Sequence, residues 1–485
     1  MPVFFVPEII PYLRDILGFA ASKRERLFLV GGSLRDALLK RRKEDIDIDF
    51  CIKKGAIPFG RALSRALGAG FVVLDEKFGS CRLVKKDRDK IYTFDFTDFR
   101  GKSLKDDLLH RDFTINTLAL DLESALLAHN PERFLIDFYG AREDLNKKSL
   151  RLVNRRAFDE DPLRILRAFS LSCVLNFKID KGTLALIKQK RKRLGSVSGE
   201  RIRDELFKIL HSNSAYAFFL ELDKLGILKL VIPEIEVMRG VKQGPYHHLD
   251  VFRHSLETIR QMEMFIEDSR KKRDINNYLQ EVISGARKRF SLMKLAALLH
   301  DIGKPDARRR KGGKIKFYGH ERIGAKFTDI IARRLKLSND ESEALKKMVF
   351  WHLRPGYLGD SAHLTPRAKF RYFRDAGREA VSILILSLAD QRSTRGPLTT
   401  KESRLRHEKV TAALMAESFR RSRQVKMVRL VNGDDLIKKF KLKPSPLIGR
   451  LLSELEELQA IGKMKSKAQG FRLVKGLIRK FQAAA

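Results

Sequence analysis

The stretch EDIDIDF, Glu44 to Phe50, places an aspartate at every second position. Read as a strand, it turns Asp45, Asp47 and Asp49 to one face, because strand side chains alternate with a period of two. Three like charges on one face repel, so a cation or water must stand beside them. The preceding LFLVGGSLRD reads as a short apolar strand, two glycines, Ser33 in an N-cap-like position and then a helix. Gly31 and Gly32 let a phosphate approach the backbone, and the helix start offers free N–H groups. Arg35, in the first turn, is placed to clamp an anion. The glycine spacing is not that of a Walker loop, and the Lys of that motif is missing. A phosphate cradle followed by a carboxylate strand suits two Mg²⁺ ions beside a triphosphate, one activating an attacking hydroxyl and one neutralising the leaving pyrophosphate. The competing reading is a wet strand edge. Spacing alone leaves open which two aspartates hold metal.

The formal charge of +39 over 485 residues exceeds what solubility requires and points to a polyanionic partner. The runs KQKRKR (Lys188 to Arg193), RRRKGGK (Arg308 to Lys314) and RRSRQVK (Arg420 to Lys426) are dispersed, as a long nucleic acid touching several domains would require. Any one of them can instead be a solvated helix face. Three widely spaced cysteines, Cys51, Cys81 and Cys173, fit a reducing, cytoplasmic setting rather than a disulfide framework. No apolar run is long enough for a membrane span. The opening MPVFFVPEII is short, lacks a basic flank and reads as mature protein.

Strand and helix signals alternate over the first 140 or so residues. GFVVLDE and SCRLVKK read as paired strands and IYTFDFTDF as another. From about Arg155 the periodicity is helical, interrupted at Pro233 and RGVKQGPYHH. A second helical block runs from near Asp250 to about Leu398, with a loop expected in the charged segment Lys271 to Lys288, and a last helical block closes the chain.

LVGGSLRDALLKRRKEDIDI resembles the signature of class II tRNA nucleotidyltransferases and bacterial poly(A) polymerases, within the polymerase-β-like nucleotidyltransferases. The resemblance implies that Asp45 and Asp47 hold the catalytic metals, that Asp49 is peripheral, and that Gly31, Gly32, Ser33 and Arg35 bind nucleotide. LLHRDFTINTLALDL resembles the ribose-and-triphosphate motif, with Arg111, Asp112 and Asn116 matching and His110 where an arginine is usual. FDEDPLRILRAFS resembles the base-reading motif, with Glu160, Asp161 and Arg164 in register. A carboxylate only accepts hydrogen bonds and a guanidinium only donates. Sharing a helix face at a spacing of three, Asp161 and Arg164 would match the amino and ring-nitrogen edge of cytosine or adenine and mismatch uracil. An ordinary surface ion pair is the plainer reading of those two alone. Asp95 is a candidate third carboxylate, and Arg82 a candidate phosphate contact.

Six of the eleven histidines fall between 247 and 352. His254, the pair His300–Asp301 and Asp390 have the pattern of a divalent metal site drawn from several helices, and His320 and His352 can complete a second position. HDIGKP after an apolar helix resembles the HD-domain phosphohydrolases. That implies a transition metal such as Ni²⁺, Co²⁺ or Mn²⁺, with Lys304 or Arg322 steadying a phosphate. A degenerate domain serving only to bind RNA is the alternative.

The expected fold is α+β: a polymerase-β-like α/β head (1–145), an all-α neck that reads the base and binds RNA (146–240), an HD domain (241–398) and a helical tail (399–485). The expected function is template-independent addition of C, A or both to the tRNA 3′ end from CTP and ATP, with tRNA as partner, Mg²⁺ in the head, and neither membrane nor protein partner implied. The rivals are a poly(A) polymerase, and an HD phosphohydrolase or RNA-binding protein with an inactive head.

Overall fold

The aspartate strand, Ile46–Ile52 (β2), runs through the middle of a six-stranded sheet. With β1 (Phe28–Val30), β3 (Gly70–Asp75), β4 (Ser80–Asp87), β5 (Lys90–Asp98) and β6 (Ala119–Asp121), the order is β3-β4-β5-β2-β1-β6. β2 lies parallel to β5 and antiparallel to β1. Alternation divides β2 as expected: Ile48, Phe50 and Ile52 are buried, while Asp47 is exposed on the opposite face. Phe50 stacks on Phe96 of β5 at 4.9 Å, and Phe59 of helix Ala56–Leu67 closes over them. The computed structural model describes residues 5, 7–41, 46–88, 90–312, 314–360, 364–424 and 428–482. Asp45 and parts of the second and third basic runs lie outside the described residues.

Two compact units are present, residues 1–208 and 209–485, so the segment expected as a neck (146–240) is shared between them. The reason is local. Helix Ala215–Lys224 is tied to helix Val251–Asp268 by the Ala215 N–H, which donates to Glu263 Oε1 at 2.7 Å. The first unit adds to the sheet the helix Arg164–Leu175, which follows the short helix Ala157–Glu160. Part of the first basic run is paired within the chain, because Lys190 and Arg193 both pair with Asp159.

In the second unit, helix Arg289–Leu299 is buried along its whole length and delivers His300 and Asp301 to the interior. Its apolar residues fill the core, and its two cations are paired there, Arg289 with Glu379 and Lys294 with Glu263. Around it lie helices Val251–Asp268, His320–Arg334, Asn339–Trp351 and Ala380–Ser393. The charged segment expected as a loop instead forms helix Arg273–Gln280 and the strand pair Val282–Ser284 with Arg287–Lys288. Its charges are used internally, since Arg287 pairs with Glu341, and Arg289 donates to Glu379 at 2.6 Å. The tail helices Gly433–Phe440, Pro446–Ala460 and Lys467–Gln482 enclose their own apolar cluster around Leu436, Leu451, Leu455 and Val474. Among the described residues no helix is long and apolar enough to cross a membrane.

Candidate active site and candidate metal centre

Gly31, not Ser33, occupies the N-cap of helix Gly32–Leu38, with φ 82° and ψ −142°. Ser33 is the second residue of the helix, and its buried Oγ has no hydrogen-bond partner among the described residues. Glycine is required at 31 for two reasons. The φ is left-handed, and a Cβ would stand 3.0 Å from Asp49 Oδ2 and 3.1 Å from Arg111 Nη1. The cradle therefore draws in a carboxylate from β2 and a guanidinium from the HRDFTIN segment.

Sheet register sets the carboxylates in rows. Asp49 stands opposite Asp95 of β5, which stands opposite Arg82 of β4. Arg82 grips Asp95 with two bonds, 2.7 and 2.8 Å, so these two expected candidates neutralise each other. Asp47 accepts a hydrogen bond from Thr93 and faces solvent. Asp49 is more sheltered, and burial pushes its carboxyl above the usual range, against the pull of Arg111. Among the described aspartates, Asp95 is offset by Arg82, Asp49 is drawn on by Arg111, and Asp47 is exposed.

Arg35 is turned inward rather than toward an anion. Its guanidinium donates to Asp36 Oδ1 at 2.9 and 2.8 Å and to Asn116 Oδ1 at 2.7 Å. Asn116 in turn donates to Asp112 Oδ1 at 2.8 Å, and Asp112 Oδ2 lies 2.8 Å from Arg167. Burial works to raise the Asp112 carboxyl, but Arg167, Asn116 and the Phe113 N–H outweigh it and hold it below its ordinary value. The chain Arg35–Asn116–Asp112–Arg167 braces the cradle against the helices that follow.

Asp161 and Arg164 do not share a helix face. Pro162 breaks the helix between them, leaving Asp161 extended at the end of one helix and Arg164 in the first turn of the next. Both nonetheless line one cavity of about 280 Å³ with Asp49, Arg111, Asp112 and Arg167. Asp161 also pairs with Arg201 at 2.7 Å. The Arg164 guanidinium donates to the carbonyls of His110, at 2.6 Å, and Arg111, at 3.2 Å. Those bonds leave part of its five-donor fork for a ligand. His110, which stands where an arginine was expected, lies with Nδ1 3.1 Å from Glu160 Oε1. Sequence reasoning missed Arg100 and Arg167, which line the same cavity. The spacing of Arg164 and Arg167, one helical turn, was a usable signal for the latter.

In the second unit four histidines direct Nε2 toward the carboxylates of Asp301 and Asp390. Their Nδ1 atoms are engaged elsewhere: His300 with Ala297 O at 2.9 Å, His320 with Phe317 O at 2.7 Å, His352 with Val349 O at 2.6 Å and His254 with Ser393 Oγ at 3.1 Å. Such partners orient imidazoles for metal through Nε2. The ligand atoms form two groups, His254 with His300 and Asp390, and Asp301 with His320 and His352. Asp301 falls with the second group, and its Oδ2 also lies 3.1 Å from His300 Nε2 and 3.6 Å from His254 Nε2 of the first. Gly303 makes the arrangement possible, because a Cβ there would meet His320 O at 2.2 Å.

Among the described residues the buried Asp301 oxygens and His300 Nε2 have no aligned hydrogen-bond partner, a costly arrangement that a bound cation would relieve. His300 is pushed up to about 10: burial opposes its charge, but Asp301 and Asp390 outweigh it. These donors, imidazole nitrogen and carboxylate oxygen, fit divalent metal. Lys304 is committed, 2.5 Å from Asp301 Oδ2 and 2.6 Å from Gln243 Oε1. His247, which sequence reasoning left unassigned, packs edge-on against His254 with ring centroids 4.8 Å apart.

Fold and sites together define a nucleotidyltransferase head joined to an HD domain. Residues 27–151 match the poly(A) polymerase head domain, residues 176–238 the probable RNA- and SrmB-binding site of polymerase A, and residues 251–395 the HD domain. The chain is 32% identical over 448 residues to the A-adding tRNA nucleotidyltransferase of Deinococcus radiodurans, covering 90% of this chain and 92% of that one. It is 29% identical over 467 residues to the CC-adding tRNA nucleotidyltransferase of Geobacter sulfurreducens, covering 96% and 94%. It belongs to the tRNA nucleotidyltransferase family. The Thermotoga maritima CCA-adding enzyme solved with tRNA shares the fold, with a TM-score of 0.60 at 21% identity over 98% of this chain and 97% of that one.

Proposed function

We propose that this chain adds C, A or both to the 3′ end of tRNA, using CTP and ATP. The observation that supports this most is the convergence of the cradle, the β2 carboxylates, Arg111 and the Asp161–Arg164 corner within one unit. The tRNA 3′ hydroxyl attacks the α-phosphate, one P–O bond forms, and the α–β anhydride breaks to release pyrophosphate. Asp45 and Asp47 would hold Mg²⁺, which when bound lowers the pKa of the hydroxyl and offsets charge on the pyrophosphate. Arg111 attracts the triphosphate, and Gly31 keeps the backbone open to it. Asp161 accepts from the amino group of C or A, and Arg164 donates to the ring nitrogen. The division into head, neck, HD domain and tail at 145, 240 and 398 is part of this reading.

The HD cluster is read as a phosphohydrolase that clears a cyclic or 2′-phosphate from a damaged RNA end, which would restore the hydroxyl the head needs. A divalent transition ion such as Ni²⁺, Co²⁺ or Mn²⁺ would be held by His254, His300, Asp301 and Asp390, with His320 and His352 at a second position, and would supply Lewis acidity. Arg322, which is exposed, or Lys304, which already lies against Asp301, would steady the phosphate. The test is incubation with tRNAs lacking zero, one, two or three terminal nucleotides, each NTP offered separately. Addition confined to the tRNA lacking only its last residue assigns A addition. Unlimited A addition to any RNA makes it a poly(A) polymerase.

A further inference from the structure

Two of the three basic runs are drawn into ion pairs within the chain. Lys190 and Arg193 meet Asp159, Arg420 and Arg421 meet Glu417, and Arg423 meets Asp274. The run that begins at Arg308 differs. It forms a two-stranded hairpin, Arg309–Lys311 with Lys314–Lys316, and no residue from 308 to 318 is acidic. Arg308, Arg309 and Arg310 are exposed and make no ion pair among the described residues. Arg309 donates to the backbone carbonyls of Asp306, at 3.3 Å, and Arg308, at 2.9 Å, which leaves its charge without a counterion.

The register makes this arrangement costly. Arg309 stands opposite Lys316, and Lys311 opposite Lys314. Like charges directly across a ladder destabilise it, and a ribbon of two strands is marginal from the start. Among the described residues no carboxylate pairs with Arg309 or Lys316, so a polyanion from outside the chain is what the hairpin suits. Ile315, across from Arg310, lines a cavity with His247 and Leu249, and alternation turns Arg309 and Lys316 to the other face. Tyr318 follows two residues beyond Lys316. It is 72% exposed, with Lys316 Nζ 2.9 Å from its hydroxyl and 5.4 Å from its ring centre.

A large exposed ring beside cations that lack counterions serves a single strand, whose bases stack on aromatic side chains while its phosphates meet the charges. A duplex keeps its bases stacked inside and would leave the ring unused. The hairpin also joins Asp301 to His320, two members of one ligand group, so a strand held on it lies beside the metal cluster.

We propose that this hairpin is a contact for single-stranded RNA, with phosphates on Arg308, Arg309 and Arg310 and a base stacked on Tyr318. Recognition is by charge and stacking, without regard to sequence. The contact depends neither on hydrolysis at the cluster nor on nucleotide addition by the head.

The test measures, by fluorescence anisotropy over a range of salt concentrations, the binding of the full-length protein to a short unstructured RNA and to a blunt RNA duplex. For Arg308→Ala/Arg309→Ala/Arg310→Ala on the single strand, the slope of log affinity against log salt should be shallower by roughly 2, since each lost phosphate contact removes about 0.7. Arg420→Ala/Arg421→Ala/Arg423→Ala removes the same charge from a run that is paired, and should leave the slope nearly as it was. Equal changes in the two triple variants overturn the proposal, because net charge alone then accounts for them. Tyr318→Ala should weaken the single strand by at least about fivefold with slope and melting temperature unchanged, and Tyr318→Phe should restore it. Neither tyrosine variant should alter duplex binding. Single-strand affinity of Tyr318→Ala within about twofold of wild type overturns the proposal. An equal loss on duplex and single strand also overturns it, by making the hairpin a contact for duplex backbone.

Discussion

Arg35 and Asn116 are 81 residues apart in sequence and bonded at 2.7 Å, Nη1 to Oδ1. Through that bond the helix after the double glycine is fastened to the segment that carries Arg111 and Asp112. Asn116→Ala should therefore leave Arg35 short of an acceptor and Asp112 short of a donor. Each buried group left unpaired costs about 1–3 kcal/mol. The melting temperature should fall and nucleotide addition slow; an unaltered melting curve would show that water replaces the amide at no cost.

Gly31→Ala should be worse than Gly32→Ala. At 31 a methyl group meets Asp49 and Arg111 and the backbone is left-handed; at 32 it meets only the end of Arg35 at 3.3 Å. A strained non-glycine residue costs of order 1–3 kcal/mol. Addition by Gly31→Ala should drop by about tenfold or more, since 1.4 kcal/mol is a factor of ten. Equal rates for the two variants would contradict the close approach.

Asp47 is exposed, whereas Asp49 is sheltered beside Gly31 and Arg111. Asp45→Ala and Asp47→Ala should each abolish addition. Asp49→Asn, which keeps the shape and removes a charge that burial already disfavours, should retain most of it. Comparable loss at 47 and 49 would move the metal pair one pleat along β2.

Arg164→Ala should increase UTP and GTP incorporation relative to CTP and ATP, beyond any general loss of rate. Because its guanidinium also bonds the His110 and Arg111 carbonyls, some loss of stability should accompany it. If the rate falls with nucleotide preference unchanged, the arginine is a brace and not a reader of the base.

Asp301→Ala should release bound transition metal, measured by elemental analysis after dialysis, and end hydrolysis of 2′,3′-cyclic nucleotides. Nucleotide addition should persist, because the head has its own ligands. Metal content equal to wild type would exclude Asp301 from the site.

The chemistry of this chain was legible where it is written in short spacings. Period two placed Asp47 and Asp49 on one face, the double glycine announced the turn before helix Gly32–Leu38, and HDIGKP after an apolar helix announced a buried His–Asp pair. Local steric and hydrogen-bonding rules act over a few residues, so a few residues suffice to read them. Spacing misled where a proline intervened, as between Asp161 and Arg164, and where the partner came from elsewhere. Arg35 faces Asn116 rather than an anion, Arg82 is absorbed by Asp95, and Lys190 and Arg193 are held by Asp159. Likewise the grouping of Asp301 with His320 and His352, and the place of His247 behind His254, follow from how five helices pack. A charged side chain bonds whatever oppositely charged group is nearest in space, and distance across a sheet or between helices is set by packing of the whole unit, which no local period records.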